Sequence, residues 1–249
     1  MIKFLAKGLI RDRSRSLFPL LTIIITVTLV IFGIGFMEGA MNNFLQSTAV
    51  ISSGHVKVVT KAYEKESSQL PNDLALFETN KIIQNLSDLY PNYFWTPRIT
   101  FGGLLDAPNE DGETKEQGPV FGIGIDFHSK TSRQIEIWEL EKYLLHGNLP
   151  KNTNDALIST KLAKQLSVNV GSTVTLISTT MDNAFTTYNF EITGIFNLNK
   201  GQVDRQMMLV DISGARQALG MEGAASEILG YHQSLYYNDN EATSMRNDF

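Results

Sequence analysis

The chain has 249 residues, 43% of them hydrophobic, enough apolar material for a packed core even beyond a membrane segment. It contains no cysteine, which excludes a disulfide scaffold, thiolate metal sites and thiol catalysis. The formal net charge is −5, but the first sixteen residues hold Lys3, Lys7, Arg11, Arg13 and Arg15 against Asp12, so the remainder carries −9; a net-acidic body without a basic run argues against a nucleic-acid partner.

Residues 1–16 read as a cytoplasmic segment. Ile2, Leu5 and Leu9 share one helical face and Lys3 and Lys7 the other, the pattern of a short amphipathic helix in the inner membrane interface. An ordinary cytoplasmic tail is the alternative. Asp12 to Ser16 reads as an elbow.

Residues 17–36 carry no charge and match the roughly 20 apolar residues a helix needs to cross a bilayer. The bases lie before this run and the first charge after it is Glu38, which places the N-terminus inside and the rest outside. A cleaved signal peptide competes, but its apolar region is shorter and ends in a small-x-small site, whereas Glu38-Gly39-Ala40 puts a charge at the outer small position. A buried core helix competes too, but rarely runs so long without a charge. Thr22, Thr26 and Thr28 can bond back to their own helix carbonyls. Pro19 falls in the first turn of this span, where a missing N–H costs little.

Residues 37–51 continue the helical spacing as a stalk, with Met37, Met41, Phe44 and Leu45 at i, i+4, i+7 and i+8. Ile34, Met37, Met41 and Phe44 form a candidate face for lipid or a partner helix; a plain packing face is the competing reading. Ser52-Ser53-Gly54 ends the helix.

Residues 52–249 read as an extracytoplasmic α+β domain, with too many adjacent strands for a doubly wound sheet. Strands are predicted at His55 to Thr60, Tyr93 to Leu105, Val120 to Asp126, Asp155 to Ser159, Ser172 to Ser178, Tyr188 to Phe196, Gln206 to Val210 and Ile228 to Tyr237. Pro97 and Gly102-Gly103 bend the second of these or place it at an edge. Ala107 to Gly118 reads as an acidic turn segment, so residues 93–126 form a long hairpin. Glu64 to Asp73 reads as a polar loop. Helices are predicted around Ile82, Ile83, Leu86 and Leu89, over 131–145, over 161–166 with Ser159 or Thr160 as cap, and over 212–219 capped by Asp211. Thr179 to Thr187 is the tip of a hairpin.

Recognisable catalytic chemistry is missing. No glycine precedes a lysine followed by Ser or Thr, so there is no phosphate-binding P-loop. Gly122-Ile-Gly124 lacks the third glycine of a dinucleotide loop and lies inside a strand pattern; it reads as a strand with two close backbone approaches. His55, His128, His146 and His232 are far apart in sequence and lack metal-ligand spacing. Asp106, Glu110, Asp111, Glu113 and Glu116 lack the regular spacing of a calcium loop. No catalytic residue, cofactor or metal is expected, and the chain reads as a non-enzyme.

Several segments in fixed order carry a resemblance. They are Ser53-Gly54-His55-Val56-Lys57-Val58 after the stalk, Val120-Phe-Gly-Ile-Gly-Ile-Asp126, Gly147-Asn-Leu149, Ala156 to Leu166, Val170-Gly171-Ser-Thr-Val-Thr-Leu176, Phe190 to Phe196, and Gly201 to Asp204 followed by Met208-Leu-Val210. With the basic tail and first span, they make the chain resemble the permease subunits of the MacB/FtsX-like ABC transporters, in particular the lipoprotein-releasing (Lol) permeases. The resemblance implies a MacB-like periplasmic core domain, a place in the bacterial inner membrane, a cytoplasmic ABC ATPase as partner, a second permease copy or paralogue, and a lipoprotein substrate. It implies mechanotransmission, in which ATP binding moves the stalk and shifts the outer domain. Such permeases carry three further spans after the core domain, through which the ATPase is contacted. This chain has no second apolar run before Phe249, so it is expected to be the N-terminal part of a permease, truncated at the C-terminal end of its core domain or recorded as a fragment. The resemblance makes the hairpin tip, Thr180, Met181, Asp182, Asn183, Ala184 and Phe185, a candidate partner-contact surface; the hairpin at 178–187 is shorter than the proline-containing hook of the carrier-recruiting member, so direct carrier recruitment is not implied. The alternative class is a single-span, membrane-anchored binding or interaction module without transport activity.

Overall fold

The computed structural model describes residues 13–109, 111–129, 133–198, 205–235 and 237–248. The amphipathic segment read over residues 2–10 lies outside them. The chain divides into two compact units, Met1–Thr48 and Ala49–Phe249.

Helix α1 (Arg13–Ser52) is a single 40-residue helix. Arg13 to Ser16 is already helical, so the expected elbow is not there. The earlier start puts Pro19 inside the helix rather than in its first turn. Proline in that position forfeits a backbone bond, a loss that membrane-spanning helices tolerate. Thr22 Oγ1 donates to the Phe18 carbonyl at 2.9 Å and Thr26 Oγ1 to that of Thr22 at 2.8 Å. Leu17–Met41 is long and apolar enough to cross a membrane, with a mean hydropathy of 2.6.

In the second unit, β1 (Val56–Val58), β2 (Tyr93–Pro108), β3 (Thr114–Ile125), β4 (Leu144–Gly147), β5 (Asp155–Ser159), β6 (Thr173–Thr179), β7 (Phe185–Phe196), β8 (Met207–Asp211) and β9 (Glu227–His232) form one sheet in the order β1-β9-β2-β3-β8-β5-β7-β4, with β6 pairing both β2 and β7. The pairings β2–β3–β8–β5–β7–β6–β2 therefore close a ring of strands. Closure removes open edges. Inside it, alternate residues such as Ile99, Phe101, Ile158, Val174, Leu176, Phe190, Ile192, Met208 and Val210 make one core, as the period of two along a strand dictates. Helices α6 (Thr160–Leu166) and α7 (Ile212–Leu219) add Leu162, Leu166, Ala215 and Leu219 to that core. The intervening residues Ile123, Ile125, Leu157, Leu209 and Phe196 join Trp138 and Tyr231 in a second core.

β2 is shared among three ladders, that of β6 covering only residues 104–106. Its residues 93–98 pair with β9 and its residues 99–108 with β3. Pro97 pairs with Ile228 in the half of β2 that has a ladder on one side only, so it stands at a local edge, where a missing N–H is affordable. Over that half, Leu86 of α3 (Thr79–Leu89) and Met245 of α8 (Asp239–Asp248) pack with Tyr93, Trp95 and Ile228.

Several sequence expectations need correction. The predicted loop at Glu64 to Asp73 is largely helical: α2 (Lys61–Glu66) is capped by Thr60 Oγ1, which accepts from the Tyr63 N–H at 3.0 Å, and short 3-10 turns follow. The predicted helix over 131–145 is two short pieces, α4 (Gln134–Ile137) and α5 (Leu140–Tyr143), and then β4. The acidic turn is confined to about the Asn109–Glu113 bend, because Thr114–Gly118 extends the β3 ladder. The last strand ends at His232, and the hairpin tip shrinks to 180–184. The two expected close approaches are present: a Cβ on Gly122 would overlap the Phe101 ring, and one on Gly124 would lie 2.6 Å from Ala215 Cβ.

Candidate functional site

The residues that stand out are buried charges where α1 enters the sheet. α1 ends at Ser52, Gly54 follows with φ +63°, and β1 begins at Val56. Glycine suits this left-handed position after a helix. The His55 N–H donates to the Gly230 carbonyl at 2.9 Å, so the chain passes from helix to sheet within residues 53–55.

Arg98 on β2 and Glu227 on β9 are direct register partners, and each is 4% exposed. Arg98 Nε donates to Glu227 Oε2 at 2.9 Å, and Arg98 Nη2 donates to the same oxygen. The guanidinium also reaches the helix end: Nη1 donates to the Ile51 carbonyl at 2.8 Å and Nη2 to that of Ser52. The last carbonyls of a helix have no partner within it and carry the negative end of its dipole, so a cation there is favourable. On the other side, Lys57 Nζ of β1 meets Glu227 Oε1 at 3.2 Å.

A neutral network adjoins this pair. Tyr63 Oη and Thr100 Oγ1 are 3.0 Å apart, the Thr100 N–H donates to Ser226 Oγ at 3.1 Å, and Ser226 Oγ donates to Asn72 Oδ1 at 2.6 Å. Asn72 Nδ2 closes the loop on the Thr100 carbonyl at 3.1 Å. Burial, above all, raises the Tyr63 phenol above its ordinary value. His55 and His232, far apart in sequence, meet here: the His232 N–H donates to His55 Nδ1 at 3.0 Å. Their separation in sequence was no guide, because β1 and β9 are ladder neighbours. Behind them, Trp138 Nε1 donates to Tyr231 Oη at 3.2 Å.

This arrangement holds a helix end; it offers no exposed nucleophile beside a base. Among the described residues, no group of three His, Asp or Glu side chains converges as a metal site.

The residues named from sequence lie elsewhere. Ile34, Met37 and Met41 are exposed, as is every side chain from Leu17 to Met41, so exposure does not set one stripe apart. The Phe44 side chain lies outside the described residues. Among Thr180 to Phe185, Met181 packs against the ring core and its N–H donates to the Leu219 carbonyl at 2.9 Å, so the tip is fastened to the end of α7. Thr180 is half-buried, Asp182, Asn183 and Ala184 are exposed, and Phe185 is 74% exposed. Sequence reasoning missed Arg98 and Glu227. The available signal was a lone charge inside each of two apolar strands, Trp95-Thr-Pro-Arg-Ile-Thr-Phe101 and Ala225-Ser-Glu-Ile-Leu229.

A family model for the MacB-like periplasmic core domain matches residues 16–234. The chain belongs to that family. Among solved structures, the periplasmic region of MacB from Actinobacillus actinomycetemcomitans is similar at 14% identity and a TM-score of 0.48, covering 77% of this chain and 79% of that one. Comparison with curated proteins gave no match. The MacB-like core domain here is thus an ABC-transporter permease-type component, a membrane-anchored protein whose main domain is extracytoplasmic. The resemblance to MacB/FtsX-like permeases holds through the family match, and the α+β fold class through the strands and helices themselves; closeness to the lipoprotein-releasing members finds no support in that match.

Proposed function

We propose that the chain is a non-catalytic permease subunit that carries movement from the membrane into its outer domain. The supporting observation is mechanical continuity: the apolar stretch Leu17–Met41 lies in a helix that runs without a break to Ser52 and passes into the sheet within residues 53–55. Energy enters from a cytoplasmic ATPase, since the chain has no P-loop to bind ATP itself. The membrane is the bacterial inner membrane, the N-terminus is cytoplasmic, and a second permease copy or paralogue completes the assembly.

For the substrate, we extend the reading to lipoprotein release. Exposed Ile34, Met37 and Met41 at the outer end of the apolar stretch offer a surface suited to an acyl chain. The experiment is affinity purification of the tagged chain from membranes of the cell that makes it. An ATPase subunit should copurify, ATP hydrolysis should appear only with it, and depletion of the chain should leave lipid-anchored proteins in the inner membrane. Hydrolysis by the isolated chain would overturn the non-catalytic role. Copurification without any ATPase would favour a single-span interaction module.

A further inference from the structure

We infer that Arg98 is a positioning residue: its guanidinium fastens the outer end of α1 to β9 and is the part through which displacement of α1 reaches the sheet. The consequence for transport rests on the permease reading above; the fastening itself does not.

One planar group bonds the last carbonyls of α1, at Ile51 and Ser52, and also the Glu227 carboxylate on β9. Arginine presents several N–H donors in a rigid fork, so such contacts set an orientation as well as a distance. Arg98 is also the last β2 residue in the β9 ladder, and Ile99 is the first in the β3 ladder. A push on the guanidinium therefore arrives where β2 passes into the closed ring of strands. The only covalent alternative is the turn 53–55, whose His55 N–H is itself bonded to β9 at Gly230.

Stability alone explains this pair poorly. Burying a guanidinium and a carboxylate costs desolvation that their attraction often fails to recover, and apolar replacements of such pairs are often neutral or stabilising. A simpler way to end the helix stands two residues further on, at Gly54. What the arginine adds is a fixed relation between helix end and sheet.

The test uses the full chain in lipid nanodiscs. It has no native cysteine, so spin labels can be placed at Met41→Cys and Glu116→Cys without further changes. Pulsed dipolar spectroscopy then reads the width of the distance distribution. Four backgrounds are compared: wild type, Glu227→Gln, Arg98→Lys, and the paired change Arg98→Met/Glu227→Gln, which leaves no buried charge unpaired. Wild type and Glu227→Gln, which keeps the guanidinium on the carbonyls, should give one narrow distance. The paired variant should at least double the width, and Arg98→Lys should lie between, while the thermal transition of the outer domain stays within a few degrees. Equal widths in wild type and the paired variant overturn the proposal. If the paired variant does not fold, Arg98→Lys decides by the same criterion.

A second arm adds the copurified ATPase and ATP. Wild type should shift its labelled distance on ATP addition, and the paired variant should lose that shift while hydrolysing ATP within about twofold of wild type. A retained shift overturns the coupling role. If no ATPase associates with wild type, the permease reading fails, and the width measurement still decides whether Arg98 fastens the helix.

Discussion

His55 Nδ1 accepts the backbone N–H of His232 at 3.0 Å, with the His55 side chain buried beneath the edge formed by β1 and β9. Because Nδ1 must stay an acceptor to keep that bond, the native state holds His55 neutral.

Acid should therefore weaken this corner of the domain. Burial lowers the His55 pKa below its ordinary 6.5, the charge on His232 lowers it further, and the Leu235 backbone opposes both. With the folded value below the unfolded one, the unfolded chain binds the proton more readily, so stability is full above pH 6.5 and declines as the pH falls below it. Thermal melts between pH 7.5 and 5 should show that decline. His55→Asn, whose Oδ1 stands near the place of Nδ1, should flatten it. An unchanged slope in His55→Asn would assign the acid sensitivity to other groups.

Gly122 is the register partner of Phe101, and the aromatic ring folds across it. Phe101 is 1% exposed and lies in the ring core, so it has nowhere to move. Gly122→Ala should cost about 1–3 kcal/mol through overpacking, read as a lower urea midpoint. Gly112, at an exposed bend with open space around it, should lose less when changed to Asn, which tolerates its φ of +82°.

Tyr93 Oη donates to Glu241 Oε2 at 3.1 Å and ties α8 to β2. Burial first, then the bond to Glu241, raises the phenol to about 12. A raised phenol stabilises the fold below pH 10 and loses that contribution as the pH rises from 10 towards 12. Ultraviolet titration should find several tyrosines ionising late, Tyr63 and Tyr93 among them, and Tyr93→Phe should remove one of these. Loss of the tie should also speed proteolytic cutting within 239–248.

Arg98→Met alone should destabilise more than Arg98→Met/Glu227→Gln. The single change takes the guanidinium from the buried Glu227 carboxylate and leaves Lys57 beside it, and breaking a buried pair from one side costs about 3–5 kcal/mol. Chemical denaturation of the two variants and of Glu227→Gln gives the coupling between the two sites. Additive effects would mean that the side chains act independently.

The outer end of the apolar stretch can be tested by charge. Met41→Glu should block transport in the assembled transporter while leaving insertion and the outer fold intact, because an unpaired charge is costly at an apolar contact. Asn43→Glu, about 200° around the helix, should be tolerated. Identical behaviour would show that the Ile34, Met37, Met41 face has no special role.

Local patterns were legible from sequence wherever a single element carries them. The charge-free run, the continuation of its helix past Phe36, the Ser159 and Asp211 caps, and the strand at Asp155–Ser159 all appear as read. Elements failed where context overrides pattern. Lys61–Glu66 is polar yet helical because Thr60 caps it and Tyr63 packs beneath the sheet. Residues 134–147 break into two turns and a strand because β7 recruits β4.

The sequence by itself determined an apolar helix long enough to span a membrane, an α+β outer domain, and, by its ordered motifs, the permease family. Only the tertiary structure decided the closed ring of strands and the junction at Arg98. Local spacing records which face of a strand is apolar, but not which strand lies beside it. The partners of Arg98 are Glu227, 129 residues later, and carbonyls of Ile51 and Ser52, which leave no mark in the sequence because every residue has one.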